Sequence, residues 1–302
     1  MYIIYVYYIL YMADNSKTEQ NAKCAPGKDF IDGSCISLNV LIDMVYAYNK
    51  YVTDNGMDNT LLIKLNNSNE ILARKKYKKY LINEFEKRFK DQCSNSQVCW
   101  TKQSFINLMH EKQKDELLNY TIRPKGPEGK WEWLNTTNIV SSLRQYSEVH
   151  PDFIFWGAVP IDFDEIGLGI SHEKLDEFVA HGIKKIGTIF NLDDSKHSGS
   201  HWVSSFANLD EGIVCYYDSY GIIPNKYVRA YMKNIALYCK NKLGKNPIAK
   251  YNKARHQYGG SECGVYSMNF IIRMLEGDTI EDIAKSYTTD DEINKFRKIY
   301  FR

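Results

Sequence analysis

Four residues in the last third of the chain carry side chains that together could cleave an acyl bond. In chain order they are His201, Asp218, Gln257 and Cys263. A cysteine thiolate is a nucleophile, a histidine can exchange protons with it, and a carboxylate can orient the histidine. A glutamine amide can donate to the oxyanion that forms during attack. These residue types predict a thiol hydrolase, provided that the fold brings them together.

The sequence around His201 and Asp218 predicts a β-hairpin that brings these two residues together. Its parts are a strand over 199–208, a turn over 209–212 and a strand over 213–217 that is rich in β-branched and aromatic residues. Folding about this turn places His201 nearly opposite Asp218, at the open end of the hairpin. A carboxylate there can accept from one imidazole nitrogen and leave the other nitrogen to act as a base.

Cys263 precedes residues 265–274, which are apolar on almost all sides and therefore predict a buried helix. A thiol at the N-terminus of that helix would be stabilised as the thiolate, next to backbone N–H groups that could hold an oxyanion. The Gly259-Gly260 pair allows the preceding loop to turn tightly. Glu262 is expected to point away from the thiol. An inert, packed cysteine is the alternative, and the hairpin upstream argues against it.

These residues and their spacing resemble the SUMO-specific (ubiquitin-like) cysteine protease superfamily. The shared pattern is His201-Trp202, Asp218 seventeen positions after the histidine, Gln257, and Cys263-Gly264 six positions after the glutamine. Trp133-Leu134-Asn135 ahead of a helix resembles the opening motif of the family. Residues 155–163 are similar to the maturation-type thiol proteases of large DNA viruses, which include giant virus, African swine fever virus and adenovirus proteases.

The resemblance implies an α+β fold, with a papain-like or adenain-like cysteine protease domain over residues 126–302. It implies that Cys263 attacks the peptide carbonyl and that His201 is its base. It also implies that Asp218 orients the histidine and that Gln257 donates to the oxyanion.

The resemblance further implies that Trp133 and Trp202 flank a narrow tunnel for substrate residues as small as Gly-Gly; core packing is the alternative for Trp133. Our preferred interpretation is an endopeptidase that processes viral structural precursors at Gly-Gly-type junctions during virion maturation. Two alternatives remain open. One is a deconjugating protease for ubiquitin-like or SUMO-like modifiers, and the other is an inactive protease fold that binds a partner.

Composition sets limits on the class of protein. The 302 residues, 44% of them hydrophobic, are enough for one large or two medium domains, and the net charge of +2 indicates no particular polyanionic partner. The seven cysteines, without an export signal, predict reduced thiols in a cytoplasmic, non-secreted protein, or in the virion if the protein is viral. Neither Cys24/Cys35 nor Cys93/Cys99 has the spacing of a zinc site, so we expect no metal and no other cofactor.

The residues before the protease domain predict a helical arm over 13–125. Helices are expected near 34–48, 71–89 and 101–109, followed by a linker over 123–130. Residues 1–12 are interpreted as a gene-model extension, with an anchor as the alternative; they are too short to span a bilayer, which needs about 20 residues. The basic helix 71–90 predicts a solvated face, and a contact with capsid or nucleic acid is the alternative.

Three further segments of the protease domain invite chemical interpretations. Asp162 and Asp164 could form a carboxylate pair, but a structural turn is the better prediction. Residues 185–192 predict a strand that is followed by a mobile loop up to residue 200. His197 in that loop and His256 are rival bases, and no predicted strand pairing gives either one a partner.

Overall fold

A computed structural model of the chain describes residues 34–65, 71–93, 97–121, 123–127, 129 and 131–301. These residues separate into two compact units on either side of the boundary between Pro124 and Lys125. The proposed extension over residues 1–12, the start of the arm and Cys24 lie outside the described residues.

The N-terminal unit is helical in its described part. Its helices are α1 (Leu38–Asp54), α2 (Ile71–Arg88), α3 (Lys90–Cys93), α4 (Gln97–Trp100) and α5 (Glu111–Asp115), with 3-10 turns at Asn59–Leu61 and Ser104–Leu108 and a π-helical turn at Glu116–Thr121. Helix α1 starts later than predicted because Ser37 caps it, its side chain accepting from the N–H of Val40. The helix predicted over 101–109 is only a 3-10 turn.

Aromatic packing forms the core of this unit. The ring of Tyr48 meets the rings of Phe85, Phe89 and Phe105 edge to face, at centroid distances of 6.2, 5.8 and 5.6 Å. Edge-to-face pairs bring the positive ring edge to the negative ring face and so add to the burial term. This core holds α1, α2 and the 3-10 turn at Ser104–Leu108 together.

The basic helix is less solvated than its sequence predicts. Lys78 is buried, and its ammonium donates to the carbonyl oxygen of Ser34 at 3.0 Å. Arg88 donates through Nε to the carbonyl oxygen of Leu61 at 2.7 Å and pairs with Glu84. The prediction of a solvated face is therefore wrong for Lys78, because its long apolar stem is packed inside the unit. Contact of this helix with capsid or nucleic acid stays a prediction.

The prediction that all seven cysteines are reduced thiols is also wrong. Cys93 and Cys99 form a disulfide, and Cys35 is disulfide-bonded as well. Because α3 and α4 are short and fold back on each other, the Cα atoms of Cys93 and Cys99 lie 5.4 Å apart, a distance that a disulfide bridges. Cys215, Cys239 and Cys263 are free and buried.

The C-terminal unit is built around a five-stranded sheet in the order β1-β2-β3-β4-β5. The strands are β1 (Phe153–Pro160), β2 (Lys185–Asn191), β3 (Trp202–Asn208), β4 (Ile213–Tyr217) and β5 (Ile248–Tyr251). Strands β2, β3 and β4 are antiparallel, whereas β1 runs parallel to β2 and β5 parallel to β4. The helices are α6 (Thr136–Val149), α7 (His172–Ala180), α8 (Lys226–Leu243), α9 (Cys263–Glu276), α10 (Ile280–Lys285), α11 (Asp290–Lys295) and α12 (Arg297–Tyr300). The α+β prediction is confirmed.

Helices cover both faces of the sheet, which is why its central strands are buried along almost their whole length. In strand β2, successive residues face opposite sides of the sheet. Gly187 faces Ile271 of α9, while the hydroxyl of the next residue, Thr188, bonds that of Tyr231 on α8 at 2.7 Å. On the α9 side, the N–H of Phe155 in β1 donates to the hydroxyl of Ser147 on α6 at 2.9 Å.

The predicted hairpin is present with small changes at its ends. Ser204 pairs with Tyr217 and Asn208 with Ile213, and Gly212 ends the turn with a φ of 71°. That φ lies in the left-handed region that favours glycine. Strand β3 begins three residues later than predicted, so His201 directly precedes it.

The predicted turn around Asp162 is also present. Its carboxylate accepts from the backbone N–H and the hydroxyl of Ser195, at 2.8 and 2.7 Å.

Within the described ranges, no three His, Cys, Asp or Glu side chains are grouped as metal ligands. No helix in the described part of the chain is both long and apolar enough to cross a membrane.

The close contact between β2 and its neighbours generates a stability prediction. A Cβ atom on Gly187 would lie 3.0 Å from the Phe153 ring and 3.1 Å from Cγ2 of Ile271. We expect Gly187→Ala to lower the free energy of unfolding of the C-terminal unit by about 1–3 kcal/mol, because overpacking forces side chains out of their rotamers. Chemical denaturation of both proteins measures this difference, and an unchanged unfolding free energy would contradict the tight packing.

Candidate active site

The open end of the hairpin holds His201 and Asp218 in contact. His201 is the last residue before β3 and Asp218 the first after β4, so the two rigid strands set their separation. Nε2 of His201 lies 2.7 Å from Oδ1 of Asp218, and both side chains are buried. The same oxygen accepts from the backbone N–H of Tyr220 at 2.8 Å. The predicted pairing is therefore realised in the folded chain.

Asn252 fixes the backbone of Asp218 from the neighbouring strand. Its Oδ1 accepts from the N–H of Asp218 at 2.9 Å, and its Nδ2 donates to the carbonyl oxygen of Asp218 at 2.7 Å. Asn252 follows β5 just as Asp218 follows β4, and those strands are parallel. The turn after Asp218 packs closely against the residues that follow Asn252. A Cβ atom on Gly221 would lie only 2.7 Å from the carbonyl oxygen of Lys253.

An aromatic and cationic stack packs against the imidazole. The ring of Tyr220 stacks on that of His201, with centroids 4.6 Å apart and planes 14° from parallel. The guanidinium of Arg255 lies 5.2 Å from the centre of the Tyr220 ring and 4.8 Å from that of Tyr258. Stacking of this kind restricts rotation of the imidazole.

Cys263 begins helix α9, as predicted, and its thiol interacts with the imidazole of His201. Since Nε2 of the imidazole is engaged by Asp218, Nδ1 is the nitrogen left to exchange a proton with the thiol. Burial by itself lowers the pKa of His201, but the hydrogen bonds and charges of Asp218 and Cys263 outweigh it and raise the pKa from 6.5 to about 9. At neutral pH this arrangement favours the imidazolium form of His201.

Gln257 is buried at the start of the loop that leads to Cys263. Its Oε1 accepts from the hydroxyl of Ser219 at 2.6 Å, and its Nε2 donates to the carbonyl oxygen of Gly259 at 3.0 Å. The hydroxyl of Ser219 therefore orients the amide, and one of the two N–H bonds is used within the loop. An amide has two such bonds, so one donor remains for an oxyanion.

Glu262 precedes the cysteine, and its carboxylate is bound locally. It accepts from the N–H and hydroxyl of Ser261 at 2.9 and 2.8 Å, and from Nδ2 of Asn294 at 3.2 Å. Burial alone would raise the pKa of Glu262, but these hydrogen bonds outweigh burial and lower it. Glu262 is therefore ionised near the thiol, with its charge held by neighbouring donors.

Trp133 and Trp202 line one cleft of about 370 Å³ beside the hairpin. Trp202 is buried, and its indole N–H donates to the carbonyl oxygen of Leu134 at 2.8 Å. Trp133 is 45% exposed, so it is not a core side chain. Residues 193–195 and 197–199 also line this cleft. The structure thus brings both predicted tryptophans to one cleft next to His201.

The rival histidines lie elsewhere in this unit. His197 pairs through Nδ1 with Asp194 at 2.6 Å, in the exposed loop before β3. Nδ1 of His256 accepts from the hydroxyl of Tyr217 at 2.8 Å, and burial lowers its pKa. Nε2 of His256 faces the carbonyl oxygen of Ala284 at 3.3 Å, so both of its nitrogens serve internal packing.

Sequence reasoning missed Tyr220 and Asn252. Tyr220 lies in the turn after Asp218. Its position only two residues after this catalytic candidate was a signal that could have indicated a place in the site. Asn252 had no such signal, since β5 is a short edge strand that no periodic pattern indicated.

Comparison with known proteins agrees with this geometry. Residues 172–302 match the Ulp1 protease family, C-terminal catalytic domain. The chain is 36% identical over 281 residues to a putative thiol protease of Acanthamoeba polyphaga mimivirus, covering 92% of this chain and 93% of the relative.

More distant relatives come from African swine fever virus. One described as a cysteine protease is 25% identical over 260 residues, covering 79% of this chain and 93% of the relative. Another, described as a SUMO-1 cysteine protease, is 26% identical over 205 residues, covering 61% and 73%. A crystal structure of the protease from this virus superposes with a TM-score of 0.58 at 19% identity, covering 80% of this chain and 93% of that chain, and it shows the same fold.

The raised pKa of His201 predicts how stability depends on pH. Because the folded protein binds this proton more tightly than the unfolded chain, the stabilisation is complete below pH 6.5 and is lost as the pH rises through about 9. Asp218→Asn removes the carboxylate charge and should lower the His201 pKa. The variant should therefore lose less stability between those pH values, as measured by thermal unfolding at stepped pH and by NMR titration of the imidazole.

Asp194→Asn is the matched control, since it alters another His–Asp pair, at an exposed position where solvent screens the interaction. It should leave the pH dependence almost unchanged. Equal pH dependence in the wild type and in Asp218→Asn would contradict the assignment to His201.

Proposed function

Because the chain belongs to the Ulp1-like cysteine protease family, we propose that it is a cysteine endopeptidase whose triad is Cys263, His201 and Asp218. The observation that carries this proposal is the series of carboxylate, imidazole and thiol: Asp218 and His201 share a buried hydrogen bond, and His201 interacts with the thiol of Cys263 at the start of α9. An inactive fold that only binds a partner would not need this series.

The proposed mechanism begins with attack of the Cys263 thiolate on the carbonyl carbon of the scissile bond. The oxyanion is stabilised by the remaining N–H of the Gln257 amide and by the backbone N–H of Cys263, which lies in the first turn of α9 where N–H groups lack helical partners. The imidazolium of His201 gives its proton to the leaving amine, and a thioester remains.

Deacylation reverses the roles. Nδ1 of His201 takes a proton from water, the resulting hydroxide attacks the thioester carbon, and the thiolate leaves as the acid product forms. Asp218 keeps its hydrogen bond to Nε2 through both steps. It thereby orients the ring and stabilises the imidazolium.

We further propose that the substrate chain lies in the cleft lined by Trp133 and Trp202, and that cleavage follows small residues such as Gly-Gly. The two indoles that line this one cleft support a preference for residues with small side chains. The viral origin of the relatives supports processing of structural precursor proteins during virion maturation, in the host cytoplasm or in the particle.

Deconjugation of a ubiquitin-like or SUMO-like modifier is the second candidate. It is favoured by the name of one African swine fever virus relative, a SUMO-1 cysteine protease. The two candidates share the chemistry and differ in whether a folded modifier body contributes to recognition.

Cleavage of short Gly-Gly-X peptides tests the proposal. We expect turnover by the wild type and none by Cys263→Ala, because no other nucleophile lies at the start of α9. Gln257→Ala should lower kcat about 100- to 1,000-fold, which is the usual effect of removing one hydrogen-bond donor to the oxyanion. Undiminished turnover in Cys263→Ala would refute the assignment.

The wild-type enzyme should also be assayed on SUMO and ubiquitin adducts. A cleavage rate that depends strongly on the folded body of the modifier supports the second candidate.

The cleft predicts a separate effect on substrate binding. Trp133→Ala should raise KM for Gly-Gly-X peptides roughly tenfold, because the loss of an aromatic contact costs about 1.5 kcal/mol or more. The fold should remain intact, since Trp133 is largely exposed. Trp131→Ala is the matched control: Trp131 is 41% exposed in the same segment and does not line the cleft. Similar KM changes in both variants would contradict a specific role for Trp133.

A further inference from the structure

We propose that residues 288–300, here called the C-terminal clamp, position the loop that carries the nucleophile, residues 257–262. Asp290, Asn294 and Arg297 are then positioning residues of the reaction. This inference rests on the proposed role of Cys263. It adds that the geometry of the loop is imposed by a segment about thirty residues further along the chain.

Asp290 holds the first half of the loop. Its Oδ2 accepts from the backbone N–H groups of Tyr258 and Gly259, at 2.9 and 2.7 Å. Its Oδ1 accepts from the hydroxyl of Tyr266 on α9 at 3.1 Å. One carboxylate therefore joins the loop to the helix that begins with Cys263. Both N–H groups point at Asp290, which excludes them as oxyanion donors.

Asn294 and Arg297 hold the second half. Nδ2 of Asn294 donates to Oε1 of Glu262 at 3.2 Å, and Nη2 of Arg297 donates to the carbonyl oxygen of Ser261 at 3.2 Å. Nε of Arg297 also donates to Oδ1 of Asn294 at 2.7 Å, so the two side chains support each other. The two residues that precede the nucleophile are thus each bound by the clamp.

The loop fits closely against these groups. A Cβ atom on Gly259 would lie 2.6 Å from Oε2 of Glu262 and 3.4 Å from Oδ2 of Asp290. A side chain at residue 259 would therefore displace the carboxylate of Glu262, whereas the distance to Asp290 is an ordinary contact. The close fit means that a displaced clamp would displace the loop.

The clamp also sets the charge next to the thiol. Glu262 is 4% exposed and directly precedes Cys263, and its hydrogen bonds keep its carboxylate ionised. The guanidinium of Arg297 interacts electrostatically with both Glu262 and Cys263 and offsets that charge. Among the described residues, His201, Tyr220 and Arg297 act on the thiol. The groups that act on these three in turn are Asp218, Arg255, Glu262 and Glu132.

The first test compares Asp290→Ala and Asp290→Asn with Asp291→Ala. Asp291 is the exposed neighbour on the same helix turn and serves as the matched control. We expect Asp290→Ala to lower kcat for a Gly-Gly-X peptide about 10- to 100-fold with little change in KM, because small misplacements of a reacting group are costly. Asp290→Asn should keep most of the activity, since an amide oxygen still accepts from the two N–H groups.

The second test follows the pH dependence of Cys263 alkylation by iodoacetamide, which needs no substrate. Arg297→Gln removes the cation and should move the acidic limb of the alkylation profile upward by roughly one pH unit. Arg297→Lys keeps the charge and should leave the limb near its wild-type position. Thermal unfolding of each variant shows whether the fold is retained.

Two outcomes would overturn the proposal. The first is that Asp290→Ala matches Asp291→Ala in both kcat and alkylation rate. The second is that Asp290→Asn loses as much activity as Asp290→Ala while both unfold at lower temperature, which would indicate ordinary packing. If the wild type cleaves no Gly-Gly-X peptide, the alkylation profiles still decide the role of the clamp. The failure of the proposed function would therefore be distinguishable from the failure of this inference.

Discussion

The site depends on a carboxylate that is almost completely removed from water. Asp218 is 1% exposed, and a buried carboxylate is stable only where hydrogen bonds and an opposite charge replace its hydration. Its Oδ1 receives His201 and the N–H of Tyr220, whereas its Oδ2 has no hydrogen-bond partner in the part of the chain that the structure describes. The compensating charge is therefore that of the imidazole, and this explains why the pKa of His201 is raised to about 9.

The sheet and α9 keep the thiol within reach of this pair. The hydroxyl of Ser267, one turn into α9, donates to the carbonyl oxygen of Trp202 at the start of β3. The ring of Phe270 stacks on that of Tyr217 at the end of β4, with centroids 5.0 Å apart. Both contacts join α9 to the hairpin beside the catalytic candidates. The distance between thiol and imidazole is thus set by rigid elements, which position side chains more accurately than loops do.

Much of the candidate site could be predicted because its signals are local. The hairpin follows from a turn of four residues with a glycine at its end, and the pairing of its strands then brings His201 close to Asp218. The buried helix follows from continuous apolar residues after Cys263. Errors arose where packing between distant segments decides the outcome. Lys78 is buried because its ammonium reaches the carbonyl oxygen of Ser34, forty-four residues earlier, and no helical pattern predicts that contact.

The amino-acid sequence alone was enough to select the candidates for nucleophile, base and orienting carboxylate, since residue type, turn chemistry and strand alternation act over short distances. The contacts that hold these candidates in place follow from the tertiary structure. Asn252 reaches Asp218 because β5 joins the sheet next to β4, and Asp290 reaches Tyr258 because the end of the chain returns to the nucleophile loop. Such contacts are one or two hydrogen bonds between segments about thirty residues apart. They leave no periodic pattern in the chain, so their specificity comes from the packed fold alone.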